Sequence, residues 1–156
     1  VSVDRMLETL VEVHRCTAGE VAPQLALSLP DRGAELAVNG IEGRLVQVFR
    51  NLIANAVSFS PTGGLIHIEA ARRDGVIEVQ IEDQGPGIPE GKLEAIFDRF
   101  YTERPAGEKF GTHSGLGLSI SKQIVEAHRG TIVAENRHEV DGSICGARFI
   151  VRLPCA

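Results

Sequence analysis

The chain has 156 residues, enough for one domain with a hydrophobic core and little more. Its 43% hydrophobic and 24% charged content is ordinary for a globular protein, and a net charge of −5 argues against nucleic acid as the partner. Three scattered cysteines (Cys16, Cys145, Cys155) without metal-ligand spacing read as reduced thiols of a cytosolic domain, and no apolar run reaches the ~18 residues of a membrane span.

The first stretch, "VSVDRMLETLVEVHR", is helix-like from its start, with no charged-then-apolar leader, so the chain reads as a piece of something longer. A helix is expected over residues 3–15, with Met6, Leu7, Leu10, Val11 and Val13 as its apolar set. "QLALSLP" and "AELAV" read as short strands separated by the turn "PDRG". Over residues 41–59, Leu45, Val48, Phe49, Leu52, Ile53 and Ala56 fall at helical spacing and form one apolar stripe. "PTGG" stops that helix. "LIHIEAARRDGVIEVQIED" then reads as two strands joined at Asp74-Gly75, a favoured hairpin turn. Ile66, Ile68 and Ala70 alternate on the first strand and Ile77, Val79 and Ile81 on the second, which sends His67 to the opposite face.

A short helix is expected around "KLEAIFDRF", followed by a mobile loop at 101–114, "YTERPAGEKFGTHS", which is polar and lacks periodicity. A further helix from about 115 to 128 carries Leu116, Ile120, Ile124 and Ala127 on one face, with Gly130 as its C-cap. "TIVAE" and "ARFIVRLP" close the chain; Ala147, Phe149, Val151 and Leu153 alternate with Arg148, Ile150 and Arg152. Together these elements predict an α+β sandwich, a hairpin-rich sheet with helices over one face.

Three stretches carry residues that this fold alone does not require. Asp83 continues the Ile77–Val79–Ile81 face, so its carboxylate points inward and needs a donor. That donor is either a protein group or a ligand amine such as the exocyclic amine of adenine. Gly85 and Gly87 follow where the backbone must turn sharply or approach a ligand, although "DQGPG" also reads as a plain turn. It is no dinucleotide fingerprint, because Glu90 holds the third glycine position. On the 41–59 helix, Asn51, Asn55 and Ser58 form a polar stripe, extended by Arg44 and Gln47. Their amide oxygens suit a hard cation such as Mg²⁺, and equally suit a boundary face that caps loops. Last, "HSGLGLSI" at 113–120 runs a glycine-rich loop into a helix, which makes either an anion site or a tightly packed helix start. The Walker Gly-Lys-Ser/Thr sequence is absent.

In this order, "NLIANA", "DQGPGI", "IFDRFY" and "SGLGLSI" resemble the N, G1, F and G2 boxes of the catalytic, ATP-binding domain of bacterial sensor histidine kinases. "SFSP" and "FYTERP" further resemble the ChvG/ExoS-type envelope sensors of alphaproteobacteria. The family shares the GHKL (Bergerat) ATPase fold of gyrase, Hsp90 and MutL. The resemblance spans almost the whole chain and implies one ATP-binding domain over 1–156, a two-layer sandwich of mixed, mostly antiparallel sheet with helices on one face. It implies ATP and Mg²⁺ as cofactors, with residues 101–114 as a mobile lid. Asp83 would accept from the adenine amine, Gly85 and Gly87 would let the purine approach, and Ile88 would line its pocket. Asn55 would ligate Mg²⁺, and Asn51 would lie toward the phosphates; these two are the catalytic candidates. Phe59 and Tyr101 would wall the nucleotide, while Ser114, Gly115, Leu116, Gly117 and Leu118 would hold the polyphosphate.

The chain departs from the family at three points. Ser58 and Thr102 stand where related domains carry a cation that touches phosphate, and His113 replaces the first glycine of the G2 box. Arg99, Arg104, Lys109 or His113 would then compensate. Gyrase-type relatives place a water-activating glutamate where this chain has Asn51, an amide that cannot act as a base, so transfer to another nucleophile is expected over hydrolysis. None of His14, His67, His113, His128 and His138 has the surroundings of the family's acceptor histidine. The expected partners are therefore a separate dimerisation and phosphoacceptor domain of the same parent protein and a cognate response regulator. The domain is expected to be cytoplasmic and monomeric in isolation, and its parent anchored in the inner membrane. The alternatives are a degenerate nucleotide-sensing domain, a gyrase or Hsp90-type ATPase, and a serine kinase of the anti-sigma sort.

Overall fold

The computed structural model of the chain describes residues 1–17, 22–30, 36–98 and 117–156. Helix α1 (Val3–Thr17) precedes strand β1 (Gln24–Ser28), and helix α2 (Glu42–Phe59) precedes the hairpin of β2 (Leu65–Arg73) and β3 (Val76–Glu82). A 3₁₀ turn (Ala95–Phe97), helix α3 (Gly117–Ala127), β4 (Thr131–His138) and β5 (Ile144–Pro154) follow. The five strands form one sheet in the order β1-β2-β3-β5-β4. Only the β1–β2 pair is parallel, so the sheet is mixed and mostly antiparallel, as the resemblance implied.

The two faces of the sheet have opposite chemistry. Ile66, Ile68, Ala70, Ile77, Val79, Ile81, Phe149, Val151 and Leu153 are buried in one core with the helices. Six residues of α2, from Leu45 to Ala56, are buried there as the single stripe their spacing predicted. Each such side chain contributes ~1.5–3 kcal/mol, so burial of that stripe rather than helix propensity sets where α2 lies. The other face is ionic. Arg148 bridges Glu82 (2.7 Å) and Glu135 (2.6 Å), and Arg152 meets Glu78 (2.9 Å). His67 lies on this face as expected and shares a 2.9 Å hydrogen bond with Ser28 Oγ. The Asp74-Gly75 turn is present, both residues at positive φ (50° and 78°), as a two-residue hairpin loop demands.

Four local expectations are corrected. Residues 36–38 of the expected "AELAV" strand make isolated bridges only, Ala37 to Ser2 and Val38 to Cys155. Clasped between the two chain ends, they have a different partner at each step, and no ladder develops. Val13 lies past Val11, the last buried residue of α1, and is 53% exposed. Among the described residues of the helix expected around "KLEAIFDRF", only a 3₁₀ turn forms, and Asp98 leaves it in extended backbone. Gly130 is not the left-handed cap of α3. Arg129 takes that conformation (φ 64°), and the N–H of Gly130 returns to Val125 O at 2.9 Å. What Gly130 supplies is the absence of a side chain: a Cβ there would stand 2.3 Å from Arg152 O and 2.8 Å from Leu153 Cδ2. The expected loop at 101–114, and the first two residues expected in the third helix, lie outside the described residues.

The start of α2 is capped from a distance. Ile41, its N-cap residue, makes no side-chain cap, yet its N–H donates to His128 Nε2 (3.1 Å). His128 Nδ1 meets Ile124 O at 2.8 Å, which fixes the ring as the neutral Nδ1–H tautomer. The ring fits because residue 40 is glycine, whose Cβ would lie 2.4 Å from His128 Cδ2. Thus the end of α3 holds the beginning of α2.

Two substitutions separate the roles at the end of α3. Gly130→Ala is expected to destabilise the protein by about 1–3 kcal/mol in urea unfolding, because β5 backbone blocks the new methyl. Arg129→Gly is expected to stabilise it by about 1 kcal/mol by relieving the left-handed arginine.

Candidate functional site

Asp83, Gly85, Gly87 and Ile88 lie just past the end of β3, with the end of α2 beside Gly85. Asp83 is 3% exposed, and its inward orientation follows from the two-residue period of β3. Its backbone still pairs with β5, its N–H donating to Ala147 O at 2.9 Å. The carboxylate Oδ1 accepts two backbone N–H bonds, from Gly85 (2.9 Å) and Ala147 (3.1 Å). Among the described residues, no hydrogen bond ends on Oδ2. Burial pushes the Asp83 carboxyl up from the ordinary carboxylate range; the two N–H donors and the Arg137 charge pull the other way without offsetting it. Gly146 makes room for this arrangement, since a Cβ there would stand 2.0 Å from Asp83 O.

The glycines of "DQGPG" are explained by the chain's own packing. A Cβ on Gly85 would meet Phe59 O, at the end of α2, at 2.5 Å. Gly87 has φ 80°, and its Cβ would meet Ile144 Cγ2 at 2.4 Å and Asn136 Oδ1 at 2.8 Å. Both therefore serve close approach and turning within the fold, whatever binds beside them. Ile88 is buried. Its N–H donates to Asn136 Oδ1 (2.7 Å), and its carbonyl accepts from Asn136 Nδ2 (2.8 Å).

The asparagine stripe of α2 divides in two. Asn51 Nδ2 donates to Gly117 O (3.3 Å) and Ser121 Oγ (3.4 Å), while Ser121 Oγ itself donates to Gly117 O (2.8 Å). This ties α2 to the first turn of α3. Asn55, one turn on and half-buried, makes no side-chain hydrogen bond to any described residue, which leaves its amide available to a ligand or ion. Ser58 and Phe59 are both engaged in contacts. Leu118 packs on the core from the start of α3. Phe97 of "IFDRF" stands edge-on to Phe149 at 6.2 Å and lies 5.7 Å beneath Lys122 Nζ, so its ring packs between β5 and α3. Arg99, Tyr101, Thr102, Arg104, Lys109, His113, Ser114, Gly115 and Leu116 lie outside the described residues.

Sequence reading missed Asn136, Arg137, Gly146 and Ser60. A lone glycine inside a strand is a signal of close approach and marked Gly146; nothing local marked Asn136. Ser60 Oγ is buried at the end of α2 and has no hydrogen-bond partner among the described residues. Among the described residues there is no group of three or more His, Cys, Asp or Glu that could hold a metal ion. Nor is any helix among them long and apolar enough to cross a membrane.

A family model described as histidine kinase-, DNA gyrase B- and HSP90-like ATPase matches residues 40–156. The chain is similar to the sensor protein ChvG of Rhizobium meliloti, 46% identical over 99% of this chain and 28% of that protein. It therefore spans little more than a quarter of that relative's length. In structure it is similar to the mycobacterial sensor histidine kinase MprB, with a TM-score of 0.81 and 27% identity over 99% of this chain and 95% of that one. It is likewise similar to histidine kinase ThkA, solved in complex with the response regulator protein TrrA, with a TM-score of 0.79 and 25% identity over 100% of this chain and 41% of that one. These likenesses bear out the resemblance read from the four boxes, and the fold with it.

Asp83 yields a prediction about stability alone. Because its folded pKa is raised, the fold holds the proton more tightly than the unfolded chain does. Stability is then fullest below the ordinary carboxylate range and falls as pH rises through the raised value. Asp83→Asn keeps an Oδ1 acceptor for both N–H groups and removes the charge. Urea unfolding from roughly pH 4 to pH 8 is expected to show a flatter profile in this variant, and at neutral pH a stability at least equal to that of the parent chain.

Proposed function

The chain belongs to the histidine kinase-, DNA gyrase B- and HSP90-like ATPase family. From that premise we propose that it binds ATP with Mg²⁺ and donates the γ-phosphoryl group to a histidine on a separate dimerisation domain of its parent protein. The observation that carries this reading is Asp83, a carboxylate kept buried with a raised pKa and one oxygen unpartnered among the described residues. A neutral side chain would serve an empty turn better, because a buried charge is costly unless fully paired. The exocyclic amine of adenine supplies the missing donor.

The residues at the site fit the nucleotide. ATP brings the transferable phosphoryl group, and Mg²⁺ neutralises charge on the phosphates. Asp83 accepts from the base, with Ile88 as an apolar wall. Asn55 offers an amide oxygen of the kind a hard cation takes. The first turn of α3, at Gly117 and Leu118, offers backbone N–H groups and the positive end of the helix dipole to phosphate. Phe59 flanks the nucleotide. By the family resemblance, Arg99, Tyr101, Thr102, His113, Ser114, Gly115 and Leu116 complete its surroundings, with 101–114 as a lid of the same ATP-binding domain.

Asn51 gives its Nδ2 to the α2–α3 tie, and an amide takes no proton from water, so hydrolysis is slow. Such a site suits positioning of ATP for a nucleophile from elsewhere. The acceptor histidine and a cognate response regulator are the partners of this reading, and the domain lies on the cytoplasmic side of a membrane-anchored parent. A weakly binding sensor domain is the second reading, favoured by Ser58 and Thr102 at positions where related domains carry cations.

Calorimetric titration with a non-hydrolysable ATP analogue tests this. The expected result is binding that requires Mg²⁺ and weakens about a hundredfold in Asp83→Asn. Labelled ATP is then expected to phosphorylate a supplied acceptor domain much faster than phosphate is released to water. Binding without transfer would favour the sensor reading, and a folded parent chain that binds no nucleotide would overturn the ATP assignment.

A further inference from the structure

We infer that Asn136 is a positioning residue for nucleotide affinity: its side-chain amide clamps the backbone of Ile88 and thereby sets the wall of the base slot relative to Asp83. This role rests on the ATP reading above.

Between Asp83 and Ile88 the chain has left the ladder of β3, and backbone polar groups there need new partners. Two consecutive residues of β4 provide them. Arg137 Nη1 donates to Asp83 O at 2.6 Å, and Asn136 takes both the N–H and the C=O of Ile88, at 2.7 and 2.8 Å. The side-chain amide of Asn136 thus stands in for a missing neighbouring strand, while its backbone stays in register with Ala147. Gly87, at φ 80°, turns against this clamp, so near that a Cβ would lie 2.8 Å from Asn136 Oδ1. The loop is held at both ends by one rigid strand, and the separation of the Asp83 carboxylate from the Ile88 side chain follows from that.

Two chemical consequences follow. Because Asn136 takes the Ile88 N–H and one acceptor position of its carbonyl, Ile88 meets a base chiefly with its apolar side chain. Only an amide of this length meets a donor and an acceptor at once. Aspartate keeps the acceptor for the Ile88 N–H and sets a second acceptor against the carbonyl; leucine keeps the shape and loses both bonds.

The test compares the parent chain with Asn136→Leu and Asn136→Asp. It measures thermal unfolding, amide exchange at Ile88 without nucleotide, the Kd for ADP with Mg²⁺, and KM and kcat for phosphorylation of a supplied acceptor domain. In Asn136→Leu, Ile88 exchange is expected to accelerate at least about tenfold, and KM for ATP to rise about tenfold with kcat within about twofold. Asn136→Asp is expected to keep the Ile88 amide protected and still raise the Kd and KM. It carries the test alone if the leucine variant does not fold. A loss that is merely structural would lower kcat through the folded fraction and leave KM in place, and that result would overturn the inference. A folded Asn136→Leu with unchanged Kd and KM would overturn it as well, leaving the ATP reading intact. A parent chain that binds no nucleotide would overturn both.

Discussion

A carboxylate buried at the end of a central strand is the constraint around which this structure is arranged. Asp83 sits at the end of β3 because that strand's inward face ends there, and ionised it is tolerable only among donors. The fold answers mostly with backbone groups. Gly85 and Ala147 aim their N–H groups at one oxygen, Gly146 withdraws its side chain to let the strands close, and Arg137 ties down the carbonyl. These measures leave the pKa raised and, among the described residues, one oxygen without a hydrogen bond. On the ATP reading, that oxygen is the one that accepts from the base.

Helices α2 and α3 are locked to each other at both ends of their contact. Asn51 reaches the first turn of α3 through Gly117 and Ser121, and His128 at the far end of α3 caps the start of α2. A nucleotide held by Asn55 and by the start of α3 would therefore be gripped by a single unit. The same economy governs the loop between Asp83 and Ile88, which takes its shape from β4. Preorganisation of this sort removes ordering costs that binding would otherwise carry.

The glycines of this chain show how one signal can have more than one cause. Gly85 and Gly87 read naturally as room for a purine, and Gly130 as a helix cap. In the structure each is required by a neighbouring piece of the same chain: the end of α2, the β4–β5 pair, and β5. A glycine reports that something comes close, and sequence cannot say what.

Much of the architecture was legible because it is periodic. The α2 stripe, the alternation of β2, β3 and β5, the Asp74-Gly75 turn and the inward direction of Asp83 depend on angles repeated from one residue to the next. The order of the four boxes was equally legible, since it is a property of the string. By itself, then, the sequence determined the α+β class, the family and the carboxylate at the strand end. Only the tertiary structure decided that residues 36–38 would bridge the two chain ends instead of forming a strand, that His128 would cap a helix 87 residues away, and that Asn136 would hold Ile88. These contacts join residues whose spacing along the chain carries no repeat. Their geometry exists only once the sheet has brought its strands together.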